Sequence, residues 1–196
     1  MATAIDPLAS GDAMVATLVE RVTAAGFTIR LFDQTTDIGV PAIMAVIGGA
    51  ERRSARHFEI TAGYGCHPVA ARAAIRAITE AAQTRVTAIA GSRDDIDPQV
   101  FAADSATSVR RLLEATPVIR WPQGLPFGTS PTTLLRSVMR AFDDASIEEP
   151  VAVWLAGPEP LVPVVKLLSA QLEDREANFN WRPGPRALVE IMRAAA

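Results

Sequence analysis

The chain has 196 residues, of which 49% are hydrophobic and 21% charged, with a formal net charge of −3. This balance suits a globular protein with a real core; it excludes a disordered polymer and offers no basic field for nucleic acid. A single cysteine excludes an internal disulfide and a cysteine metal cluster.

No apolar run reaches membrane-spanning length. Asp6 and Asp12 fall where the apolar core of a signal peptide would sit. A soluble, cytoplasmic protein without nucleic-acid or membrane partners is therefore expected.

Residues 1–12 read as a frayed lead-in. Ser10 or Asp12 caps a helix over 13–25 with Met14, Leu18, Val22 and Ala25 on one face, and Gly26 ends it. The alternation of 27–33 predicts a half-buried strand, 35–41 a turn, and the apolar run 42–47 a more buried strand. Residues 48–56 read as a polar loop. A short strand over 58–62 then delivers Gly63-Tyr64-Gly65-Cys66-His67, which reads as a glycine-rich turn.

A helix follows. Pro68 suits a first helical position, where its missing N–H costs nothing, good helix formers run over 69–90, and Gly91 is a natural stop. At 100° per residue, Ile75, Ile78, Ala82, Val86 and Ile89 form one stripe, expected to face the core. Arg72, Arg76, Glu80, Gln83 and Thr87 form another. Two readings of this second row stay open. Beside a glycine turn and a helix N-terminus, arginine suits phosphate oxygens and a carboxylate suits a divalent cation. Alternatively the row is a solvated face, with Arg and Glu in the less favourable i, i+4 order. His67 beside Cys66 has no third partner specified for nucleophilic catalysis and is expected to cap the helix.

Residues 92–97 form an acidic turn containing Arg93-Asp94-Asp95, either a cation site or a capping turn. Residues 98–115 contain a helix, best over 105–114. The loop 116–131 holds Pro117, Pro122, Gly124, Pro126 and Gly128 and reads as a surface excursion or a lid, with Trp121 and Phe127 anchoring it by packing. Ser130 or Thr129 caps a helix to Phe142. Residues 151–155 predict a buried strand and 161–168 a further one; 175–185 is a polar loop, and a short helix closes the chain. The fold class is α+β: one domain over 1–196 in which the 69–90 helix packs on a mixed sheet with strands near 27–33, 42–48 and 151–155. No Walker loop, dinucleotide fingerprint or HExxH is present, so any ATP site is not a P-loop site.

The stretch GYGCHPVAARAAIRAITEAAQTRVTAIAGSRDDI, residues 63–96, resembles the downstream block of the YcaO superfamily. There a glycine-rich turn with His-Pro leads into an Arg-Ala-x-x-Glu-Ala-x-Gln-x-Arg helix and then Gly-Ser/Ala-Arg-Asp-Asp. The segment Leu31-Phe32-Asp33-Gln34-Thr35-Thr36-Asp37-Ile38-Gly39-Val40-Pro41 and the Val162-Pro163-Val164-Val165-Lys166 run are similar to the family too. The subgroup it most resembles is the one associated with the TfuA protein.

The resemblance implies the α+β fold of the C-terminal portion of a YcaO domain. It also implies a cyclodehydratase or thioamidation chemistry of ribosomal-peptide biosynthesis, in which ATP and magnesium activate a backbone amide to give azolines, thioamides or amidines. On the same ground Arg76, Gly63, Gly65, Gln83 and Arg93 would bind ATP phosphates, and Glu80 and Asp94 the metal. The partners implied are a peptide or protein substrate, a TfuA-like protein or the missing N-terminal YcaO portion, and a second copy of the chain. Family members are longer, and their Ser-x-x-x-Glu-x-x-Glu-Arg motif has no counterpart in residues 1–62, where Val19-Glu20-Arg21 is a bare fragment. Two functions follow: part of an ATP-dependent peptide-modifying enzyme, inactive alone, or a non-catalytic, possibly dimeric, binding or assembly module.

Overall fold

The computed structural model describes residues 3–49, 60–91, 107–118, 120–125, 130–155, 162–173 and 182–195. The chain falls into two compact units, Ala2–Val138 and Met139–Ala196. Helices and antiparallel sheets make the fold α+β.

The N-terminal unit is built on a four-stranded sheet. Its strands are β1 (Thr3–Ile5), β2 (Phe27–Asp33), β3 (Ala42–Gly49) and β4 (Ile60–Cys66), each antiparallel to the next in that spatial order. The lead-in expected to fray is ordered instead: β1 pairs with β2, and Ile5 is fully buried. Burial of that side chain offsets the entropy of fixing a terminal segment. A 3-10 turn, Pro7–Ser10, links β1 to α1 (Ala13–Ala24). Asp12 caps α1, its Oδ1 accepting from the amides of Met14 and Val15 at 2.9 and 3.1 Å. The packed stripe of α1 is Val15, Leu18, Val19 and Val22, an i, i+3, i+4, i+7 set. Met14, expected on that face, is 54% exposed.

β3 is central, and its six residues Ile43–Gly48 are all buried. One face of the sheet presents Ile29, Leu31, Ile43, Ala45 and Ile47 to α1 and to α2 (Ala70–Ala90). The other presents Phe32, Met44 and Val46, packed with Leu112, Leu113 and Ala115 at and just after the end of α3 (Thr107–Leu113). A strand covered on both sides reads as an unbroken apolar run, which is the pattern of 42–47. Trp121 packs against the α1–α2 side, as expected of a loop anchor; Phe127 lies outside the described residues.

α4 (Pro131–Asp144) begins before the division at 138/139 and ends in the C-terminal unit; it opens at Ser130, whose Oγ accepts from the Thr133 amide at 3.2 Å. β5 (Val151–Trp154) pairs antiparallel with β6 (Val165–Leu168) in a sheet of their own, and α5 (Pro185–Ala195) follows. This corrects two expectations for 151–155: the strand is not part of the β2–β3 sheet, and it is exposed along its whole length. Side-chain composition alone specifies that a strand needs cover, not which sheet it joins.

Candidate functional site around strand β4 and helix α2

Gly63-Tyr64-Gly65-Cys66 is not a turn but the second half of β4. Ala45 pairs with Gly63 and Ile43 with Gly65. Both glycines are buried beneath α2. A Cβ on Gly63 would run into the backbone nitrogen of Ala81 and the carbonyl oxygen of Ala77; one on Gly65 would run into the carbonyl oxygen of Ala73. One step earlier, the buried Thr61 hydroxyl donates to the Ala81 carbonyl at 3.0 Å.

Three contacts thus march along the pair: Gly65 at Ala73, Gly63 at Ala77, Thr61 at Ala81. Two strand residues advance about 6.6 Å and four helical residues about 6 Å, so the steps stay nearly in phase. α2 therefore lies on β4 backbone to backbone.

That close approach also sets which face of α2 is buried. The buried residues are Ala70, Ala73, Ala74, Ala77, Ile78 and Ala81, a stripe rotated by roughly 100° from the isoleucine stripe. Of the expected core face, Ile78 is buried and Ile75 partly so, while Val86 and Ile89 are 66% and 62% exposed. Alanine wins because nothing larger fits against a glycine strand. Gly91, at φ +59°, ends the helix in the left-handed conformation, its amide donating to the Thr87 carbonyl.

At the N-terminal end, Val69 offers no side-chain cap. His67 fills that role: its Nδ1 accepts from the Val69 amide at 2.9 Å, which requires that nitrogen to be unprotonated. Partial burial, then the Arg72 and Arg76 guanidiniums, hold the His67 pKa below its ordinary value. The neighbouring Cys66 thiol is pushed up by desolvation, an effect Arg76 opposes. The two arginines therefore project positive charge over the strand end and the helix start.

Glu80 is engaged by the strand. Its Oε2 accepts from the Tyr64 amide at 2.8 Å. Among the described residues β4 is the outer strand of its sheet, and alternate amides of such a strand point away from the ladder. The carboxylate covers one of these outward amides. The amides of Gly63 and Gly65 point the opposite way, towards β3.

Arg76, Glu80 and Gln83 share the exposed side of α2 with Arg72. Arg93, Asp94 and Asp95 lie outside the described residues. Among the described residues no three His, Cys, Asp or Glu side chains cluster as a metal site. A magnesium ion demands a near-octahedral oxygen set, and Glu80 is the one carboxylate that α2 carries. Sequence reading missed Thr61 and the Tyr64 amide. The signal for the first was present: Thr61, Gly63 and Gly65 at strand period against Ala73, Ala77 and Ala81 at helix period. Among the described residues, no helix is long and apolar enough to cross a membrane.

The chain matches the family model described as YcaO cyclodehydratase, ATP- and Mg2+-binding, over residues 2–173. It is 47% identical over 114 residues to an uncharacterized protein in the tfuA 3′ region of Rhizobium leguminosarum bv. trifolii, covering 56% of this chain and 27% of that protein. It is 36% identical over 118 residues to an uncharacterized protein of Mycobacterium tuberculosis, covering 56% and 26%. The chain thus spans about a quarter of the length of these relatives.

Among solved structures it is similar to the heterocyclase TruD, with TM-score 0.59 and 22% identity over 85% of this chain and 23% of that one. A heterocyclase in complex with substrate and cofactor gives TM-score 0.60 and 18% identity over the same shares, 85% and 23%. At such identities the likeness shows a shared fold. Together with the match over residues 2–173, it places this chain in the YcaO family.

Proposed function

We propose that the chain is the C-terminal part of a YcaO-type enzyme that spends ATP, with magnesium, to activate a peptide backbone amide in azoline or thioamide formation, and that it is incomplete alone. The observation that carries this reading is the family match over residues 2–173 in a chain spanning only a quarter of its relatives. The chemistry is phosphoryl transfer, in which the protein positions the amide oxygen and neutralises phosphate charge. On α2, Arg76 and Gln83 would meet phosphate oxygens and Glu80 would offer one oxygen to the metal, with Arg93 and Asp94 beyond Gly91 completing this chain's share. Gly63 and Gly65 would serve by seating α2 on β4 and so fixing the row. The rest of the metal ligands would come from YcaO polypeptide outside these residues. The relative in the tfuA 3′ region supports a TfuA-like protein as a further partner, alongside a peptide substrate and self-association.

The test is reconstitution. The purified chain is mixed with the part of the Rhizobium relative that lies outside the matched stretch, and magnesium-dependent ATP hydrolysis is measured with a Cys- and Ser-containing peptide. Turnover by the mixture but not by either part, lost in Glu80→Gln, is the expected result. A complex that forms without binding nucleotide would instead make the chain a non-catalytic assembly module.

A further inference from the structure

The β5–β6 ribbon is a surface whose composition and exposure disagree. Val151, Ala152, Val153 and Trp154 are all exposed, as are Val165, Lys166, Leu167 and Leu168. The register pairs Ala152 with Leu167 and Trp154 with Val165, which places these four residues on one side. That side is wholly apolar. The other carries Val151 with Leu168 and Val153 with Lys166. Trp154 is 66% exposed and Leu167 63%.

A two-stranded ribbon is marginal in water without a third strand or a packed layer. An apolar run of this kind is the pattern of a strand covered on both faces, as β3 is in the other unit. Exposing it leaves a contiguous apolar surface of the sort that marks an interaction site. Both strands fall inside residues 2–173, so they belong to the YcaO domain proper and are not an appendage to it. The relatives, meanwhile, are about four times as long as the stretch they share with this chain.

We infer that the β5–β6 ribbon is a docking surface for YcaO-domain polypeptide from outside these 196 residues, which adds a strand at the ribbon's edge and covers the side formed by Ala152, Trp154, Val165 and Leu167. The inference rests on the reading above, that the chain is one part of a YcaO enzyme, and gives that reading its joint. Main-chain bonds along the edge supply affinity, and the alternate apolar side chains set the register.

The probe is the Rhizobium polypeptide outside the matched stretch, added to the full chain. The expected result is an equimolar complex by light scattering, with slowed amide exchange across 151–154 and 165–168. Leu167→Asp should weaken the complex at least tenfold. Exchange protection of β2 and β3 in the free variant must match that of the free parent chain, which shows that the N-terminal unit still folds.

Three outcomes overturn the docking surface. These are no complex, a complex that leaves the ribbon amides unprotected, and a free chain that already dimerises through protected ribbon amides. Ribbon protection with no ATP turnover would leave the docking surface standing and sink the catalytic reading. Turnover without ribbon protection would do the reverse.

Discussion

Glu80 reaches back over 16 residues of sequence to accept the Tyr64 amide of β4 at 2.8 Å. A carboxylate in the middle of an exposed helical row is thereby tied to the outer strand of the sheet. The bond orients Oε2 and leaves Oε1 as the carboxylate's other acceptor. Glu80→Gln keeps a carbonyl oxygen that can accept from Tyr64 while removing the charge. Its thermal midpoint should stay close to that of the parent chain, whereas Glu80→Ala should lose about 0.5–1.5 kcal/mol, the net worth of one hydrogen bond. Chemical denaturation of the three proteins checks the ranking. A Gln variant as unstable as the Ala variant would mean that charge, not the hydrogen bond, holds the edge.

The backbone seat of α2 on β4 predicts that Gly63→Ala and Gly65→Ala destabilise by about 3 kcal/mol each, at the upper end of ordinary overpacking. The added methyl meets main-chain atoms of Ala73, Ala77 and Ala81, which have nowhere to rotate. Trimming the opposing side chain should therefore bring no rescue. Gly63→Ala combined with Ala77→Gly should be no more stable than Gly63→Ala alone. Recovery in the double variant would show that side-chain bulk, not backbone proximity, sets the spacing.

His67 gives the fold a pH dependence of defined sign. Its pKa in the folded chain is lowered, so between that value and the ordinary one near 6.5 the unfolded chain binds the proton and the folded chain does not. Stability is fully present above the ordinary value and falls as pH drops through it. Protonation also removes the Nδ1 acceptor of the Val69 amide. Denaturation midpoints measured from pH 8 to pH 5 should decline, and the decline should shrink in His67→Asn, which accepts at the cap without titrating. Equal slopes in both proteins would remove His67 as the cause.

The sequence displayed its local features and hid its non-local ones. The Asp12 cap, the alternation of β2, the apolar run of β3 and the stop at Gly91 each depend on neighbours a few residues away, and each lies where the pattern puts it. The glycine pair reads as a turn because Gly-x-Gly punctuates loops. Its true setting depends on β3, some twenty residues earlier, and α2, some ten later. Hydrophobicity likewise points Val86 and Ile89 of α2 inward, when proximity to a glycine strand selects the alanines. Arg76, Glu80 and Gln83 were legible as a row because helical periodicity alone places them. The partner of Glu80 was not, since a backbone amide leaves no mark in a sequence.

Arg76 offers the sharpest decision about that row. Its guanidinium lies near enough to His67 and Cys66 to lower both pKa values. Removing it should therefore be visible in the isolated chain before any nucleotide is added: in Arg76→Ala the His67 pKa should rise towards its ordinary value and the Cys66 thiol should move further up. Proton NMR of the imidazole and the pH dependence of thiol alkylation read these two shifts. Thermal stability should change little, by no more than about 0.5 kcal/mol, because Arg76 is an exposed surface residue. In the reconstituted assembly the same variant should bind ATP roughly tenfold to a hundredfold more weakly, the cost of about 1.5–3 kcal/mol for one charge-assisted hydrogen bond. A purely structural arginine reverses that ranking, with stability lost and nucleotide affinity unmoved. The titration and the affinity fail separately. If the pKa values shift as stated but ATP binding does not, the positive field at the start of α2 exists and has no phosphate to meet.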